Sequence, residues 1–163
     1  MSERNQQIKT VADAINVVRP FVTRQQFQVM EELSRTGEEK KFFQEKFLEY
    51  ANRIAGMAKS YEQDGKGDEA VVYLHYFHGG SDWYITEKDQ DGGVQQAFGY
   101  AVLNGDEQNA ELGYISIEEL TGLGVELDLH FDPRTLGQVK EQRAGRGAGV
   151  EEEREEDSRS HSR

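Results

Sequence analysis

Three of the four histidines in this chain sit where they could do chemistry. His75 and His78 lie three apart in one aromatic segment, and His130 lies in a later one. With Asp82 or Asp132 they supply the donor types of a His/carboxylate metal site, and so of a small metal-dependent hydrolase. On a strand, however, positions i and i+3 point to opposite faces. His75 and His78 converge only if the strand ends near Phe77 and the chain turns. The simpler reading is ordinary surface or edge histidines. Asp82, Glu87, Asp89 and Asp91 surround one hairpin and offer oxygen ligands to a hard cation, but the calcium-loop pattern is absent and an acidic turn accounts for them. No phosphate loop, G-x-S-x-G elbow or dinucleotide fingerprint occurs. The chain has no cysteine, which excludes disulfides, a thiol nucleophile and thiolate metal sites, and fits a cytoplasmic protein. No motif calls for a cofactor.

Charge says more than any motif. The formal net charge is −12, and it is unevenly placed. Residues 1–64 balance ten Lys/Arg against ten Asp/Glu, whereas residues 65–136 hold three against fourteen. The second block also carries the only Trp and five of the seven Tyr. Such a domain repels phosphate, so direct nucleic-acid binding is not expected. A protein partner with a basic surface is the natural expectation. The most exposed candidates for that contact are Asp82, Glu87, Asp89, Asp91, Glu126 and Asp128. A sharper version is DNA mimicry, with carboxylates in phosphate positions blocking a nuclease or a defence complex. It requires the acids to line one face.

The elements that would position these residues are legible from periodicity. Ile8, Val11, Ala12, Ile15 and Val18 fall at helical spacing, and Pro20 ends that pattern. Thr23 followed by Gln26 predicts a capping box for a second helix, with Gly37 as its stop. A third helix is predicted over Glu38–Tyr61. Its stripe of Phe43, Phe47, Tyr50, Ile54, Met57 and Tyr61 either packs inside the fold or forms a homodimer seam. Residues 1–64 thus read as a helical arm. Nothing here is apolar for long enough to span a membrane, and the N-terminus lacks the grammar of a signal peptide.

Asp64–Asp68 is a turn-rich hinge. After it come Val71–Phe77, Trp83–Glu87, Ala97–Leu103, Glu111–Ile115 and Val125–Phe131, short runs rich in aromatic and β-branched residues. Short loops between them favour hairpins. Ser116 and Glu119 cap one short helix before the last strand. The predicted class is α+β: N-terminal helices, then a mostly antiparallel five-stranded sheet in the order ββββαβ over residues 65–136. From Gly137 to Arg163 the chain is Gly, Arg, Glu and Ser with little else, and it is predicted to be a disordered polar tail.

The sheet blocks resemble a known family. Val72-Tyr73-Leu74-His75-Tyr76-Phe77, Trp83-Tyr84-Ile85-Thr86-Glu87, Phe98-Gly99-Tyr100, Glu111-Leu112-Gly113-Tyr114-Ile115 and Glu126-Leu127-Asp128-Leu129-His130-Phe131 follow in order. Over about residues 69–136 this is similar to the bacterial domain family of unknown function numbered twenty-nine fifty-eight, which is often carried by plasmids and phages. The resemblance implies a mobile-element context and brings no activity or site residues with it. Gly99 and Gly113 are expected to make room for a neighbouring ring.

Overall fold

Side-chain caps set where the helices begin. In the computed structural model, which describes residues 7–145, Thr10 opens α1 (Val11–Val18) by accepting the N–H of Asp13. Thr23 opens α2 (Arg24–Arg35) by accepting the N–H of Gln26. Each oxygen satisfies an N–H that a helix start leaves unpaired. The longest helix, α3, spans Lys40–Gly56, shorter than the predicted Glu38–Tyr61. Its C-terminal carbonyls at Ile54 and Ala55 accept from the buried Lys88 ammonium at 2.6 and 3.3 Å. A cation there meets the negative end of the helix. Phe47, Tyr50, Ile54 and Met57 are at most 2% exposed. A dimer seam through the Phe43–Tyr61 stripe would have to unpack this core. Tyr61 itself lies outside the helix.

The strands are β1 (Val71–Val72), β2 (Leu74–His78), β3 (Ser81–Glu87), β4 (Ala97–Val102), β5 (Glu111–Ile115), β6 (Glu126–Leu127) and β7 (Arg134–Thr135). Between β5 and β6 lies α4 (Ile117–Gly122), capped by Ser116. Five strands form one antiparallel sheet in the order β5-β4-β3-β2-β6, and β1 pairs separately with β7. The predicted α+β class and the ββββαβ order are what the fold shows. Two strands differ from expectation. Val71–Phe77 breaks at Tyr73, and Val125–Phe131 stops at Leu127 because Asp128 Oδ1 accepts the N–H of His130 and turns the chain.

Alternation along the strands gives the sheet two faces. Leu74, Tyr76, Ile85, Ala97, Ile115 and Leu127 share one buried cluster with α1, α2 and α3. The helical arm and the sheet therefore hold a single core across residue 64. On the other face Tyr84, Tyr100 and Val102 pack with Val72, Phe131, Leu136 and Val139. The last two belong to α5, a helix over residues 136–145. This corrects the predicted disorder for residues 137–145; the rest of that predicted tail, 146–163, lies outside the described residues. A reciprocal cap starts α5: the Gln138 N–H donates to Thr135 Oγ1, and the Thr135 N–H donates to Gln138 Oε1.

One border of the sheet is closed by a side chain. Gln26 on α2 reaches over β6, where its amide donates to the Leu127 carbonyl at 2.9 Å and accepts the Leu127 N–H at 3.0 Å. In β3 the register shifts between Ile85 and Glu87, an irregularity that reverses the alternation. Glu87 consequently pairs with Phe98 on the α5 side, and Lys88 turns back to α3. Gly99 lies opposite this bulge, where a Cβ would collide with the Tyr84 carbonyl and come within 3.0 Å of Ile85 Cα. Its room is for backbone rather than for a ring, and Gly113 has nothing within 4 Å. No helix among the described residues is long and apolar enough to cross a membrane.

Candidate functional site

The α5 side of the sheet carries two groups of polar residues, and the sequence candidates divide between them. The first centres on His75. Cross-strand pairing on β2 and β3 stacks the imidazole on Tyr84, with centroids 4.7 Å apart and planes 8° from parallel. Its Nδ1 lies 2.9 Å from Asp128 Oδ2 and its Nε2 lies 2.7 Å from Asp82 Oδ1. An acid on each nitrogen favours the form in which both nitrogens carry a proton and the ring is a cation. Burial works against that charge, but the hydrogen bonds to Asp128 and Asp82 outweigh it and hold the His75 pKa above its usual value. Burial pushes Asp82 the other way too, yet His75 and Arg143 keep its carboxyl below the ordinary range. The bond from His75 does the same for Asp128.

Arg143 ties this group to α5. Its Nη1 donates to Asp82 Oδ2 at 3.0 Å and to the Tyr84 hydroxyl at 2.8 Å, and its Nε donates to Glu107 Oε2 at 2.7 Å. The cluster borders a cleft of about 380 Å³ that also reaches His130 and Arg134. Inside it, however, no buried side-chain nitrogen or oxygen among the described residues lacks a partner. The bonds of the cluster join β2, β3, the turn after β6 and α5 to one another. The three histidines considered for a metal site are not brought together. Both His75 nitrogens face carboxylates, His78 lies exposed at the end of β2, and His130 is on an exposed turn. Among the described residues no group of three His, Cys, Asp or Glu is placed to hold a metal ion.

The second group surrounds Glu87, which is only 4% exposed. Its oxygens accept the backbone N–H groups of Tyr61 and Gln63, both at 2.8 Å. Among the described residues no basic side chain forms an ion pair with it. It lines a pocket of about 260 Å³ with Tyr61, Asp64, Phe98, Leu112 and Tyr114. Tyr61 holds a left-handed φ of +76°, costly for a bulky residue. Two bonds fix it there: its N–H to Glu87, and its hydroxyl 2.8 Å from that of Tyr114. Tyr61, Leu112 and Tyr114 are 61%, 41% and 55% exposed, a patch shared by the turn after α3 and the end strand of the sheet.

The six acids expected to meet a partner are therefore engaged in different ways. Asp82 and Asp128 come together on His75, and Glu87 is buried in the second pocket. Asp89 folds back on its own loop, accepting from the N–H groups of Asp91 and Gln96. Asp91 and Glu126 are exposed, on that loop and on β6. Sequence reasoning missed Arg143, Tyr61 and Tyr114. The Thr135-x-x-Gln138 box was a visible signal for the helix that carries Arg143; the bulge that re-aims Glu87 left none. No family model, no curated protein and no solved structure matches this chain.

Proposed function

We propose that this chain is a non-enzymatic accessory protein of a plasmid- or phage-like element, acting in the cytoplasm by binding a protein partner with a basic surface. The observation that carries this reading is the exposed patch of Tyr61, Leu112 and Tyr114. It borders an end strand in a domain with three basic residues against fourteen acidic ones. Aromatic residues ringed by charge are the usual make-up of a protein-binding surface. Across the outer edge of β5 no other strand pairs among the described residues, which leaves backbone groups for an extended segment. The mobile-element context rests on the sequence blocks of residues 69–136 alone. DNA mimicry has less support, because Asp82, Asp128 and Glu87 are each engaged within the fold.

The test is capture from nuclease-treated bacterial lysate by the full chain, at low and at high salt, beside a Glu111→Lys, Glu118→Lys variant. Both acids are exposed, and neither belongs to the His75 or Glu87 group. The expected result is a basic protein held at low salt, released at high salt, and not held by the variant. Equal capture by the variant and the wild type would refute the reading.

A further inference from the structure

We infer that the pocket above Glu87 is a receptor for one cationic side chain, a lysine or arginine of the bound partner. The inference rests on the partner-binding reading and gives that contact its anchor.

The pocket has the size of a side chain. About 260 Å³ falls below the range of roughly 300–1,000 Å³ usual for small-molecule sites. It suits a single residue better than a whole ligand. The walls have the right chemistry as well. Tyr61, Phe98 and Tyr114 supply aromatic surface, with the Phe98 and Tyr114 rings edge to face at 5.5 Å. Such walls accept the aliphatic stem of a long basic residue and attract its charged end.

The charge within completes the match. A carboxylate offers roughly four lone-pair sites, and Glu87 uses two of its own on the N–H groups of Tyr61 and Gln63. A buried carboxylate with no cation beside it is costly to maintain. The fold nonetheless builds this one deliberately, since the bulge in β3 turns Glu87 toward the pocket and the left-handed Tyr61 delivers its N–H to it. Lys88, the nearest cation in sequence, serves the end of α3 on the opposite face. Asp64 lines the same pocket and adds a second negative charge to it. An incoming ammonium or guanidinium thus meets two acids and three rings.

The test is a titration of the full, uniformly 15N-labelled chain, read on the amide signals of Tyr61 and Gln63. The probes are three blocked tripeptides, Gly-Lys-Gly, Gly-Arg-Gly and Gly-norleucine-Gly. Because both amides donate to Glu87, a cation at that carboxylate moves them. The lysine or arginine peptide should give saturable shifts at both signals, half-complete at about 1–10 mM. Whichever basic peptide binds more tightly identifies the residue preferred. The norleucine peptide should leave both signals in place.

Glu87→Gln is the direct variant, but it removes an acceptor that the loop needs. Phe98→Leu is the safer one, because it removes a ring from the wall without touching either bond that fixes Tyr61. It should weaken the basic peptide about fivefold or more while the rest of the spectrum stays native. Equal shifts from norleucine would overturn the inference, as would no shift at about 20 mM basic peptide. Failure here with salt-sensitive capture intact would leave the partner reading standing. Saturable peptide binding, with capture unaffected by charge reversal, would refute the partner reading and keep the pocket.

Discussion

Replacing His75 with glutamine tests whether the Asp128–His75–Asp82 group is a structural staple. Two bonds to ionised partners are at stake, at 2.9 and 2.7 Å, among side chains 14–26% exposed. Charge-assisted hydrogen bonds contribute about 1.5–3 kcal/mol each. Partial solvent contact puts these near the lower end, so the pair together is worth about 3 kcal/mol. Glutamine keeps N–H donors but not the charge, and it leaves two carboxylates facing one neutral group. The pH dependence follows from the directions of the shifts. His75 is raised, so its contribution is complete below the unfolded value of about 6.5 and is lost as pH rises through the folded value. Asp82 and Asp128 are lowered. Their contribution is present above about pH 3.9 and is lost as pH falls through their folded values. The staple is therefore strongest between about pH 4 and 6.5. Above that window, wild-type stability should fall with a slope of at most about 1.4 kcal/mol per pH unit from this one proton. Urea unfolding of both chains from pH 5.5 to 9 measures the difference. It should be largest near the acid end and shrink toward pH 9. A His75→Gln chain that loses under about 1 kcal/mol and keeps the wild-type slope would show that His75 carries no stabilising charge.

Three further outcomes are expected. Gly99→Ala should lower stability by about 2–3 kcal/mol or more, read as a drop in Tm, because the strand opposite the bulge has no space for a methyl. Tyr50→Phe should cost about 1–2 kcal/mol in a urea titration, since the buried hydroxyl donates to the Asp128 carbonyl at 2.7 Å. Burial pushes the Tyr50 pKa up to about 12, so in the native wild type its phenolate should form only near that pH in an absorbance titration. Leu136→Ala, at the fully buried first residue of α5, should cost about 2–5 kcal/mol and raise binding of an apolar dye. A loss under about 1 kcal/mol would mean that α5 is not docked.

Some of this was written plainly in the chain. Thr23 and Ser116 announced helix starts, Pro20 and Gly37 announced stops, and turn-rich loops announced hairpins, because each of these signals is local. The remainder depends on what meets what. Charge counting placed Asp82 and Asp128 on a solvent face, yet both are claimed by one histidine. A strict period of two predicts the wrong side for Glu87, since one bulge residue reverses the count. Tyr61 continued the apolar spacing of α3 although the helix had ended at Gly56. A boundary drawn at residue 137 cut the Thr135–Gln138 box in half, and the pieces read as polar tail. Gly99 shows the same limit, since its residue type said that something comes close without saying what.

The reach of Gln26 across β6 has one more consequence. Its side-chain amide imitates a neighbouring strand, giving Leu127 both a donor and an acceptor and sealing that border of the sheet. The opposite border, at β5, has no such seal among the described residues. Growth of a sheet from molecule to molecule needs two open borders, one to receive and one to pass on. A protein with a single open border can join its own kind once, border to border, and the addition ends there. Among the described residues, only the β5 border is left for another strand.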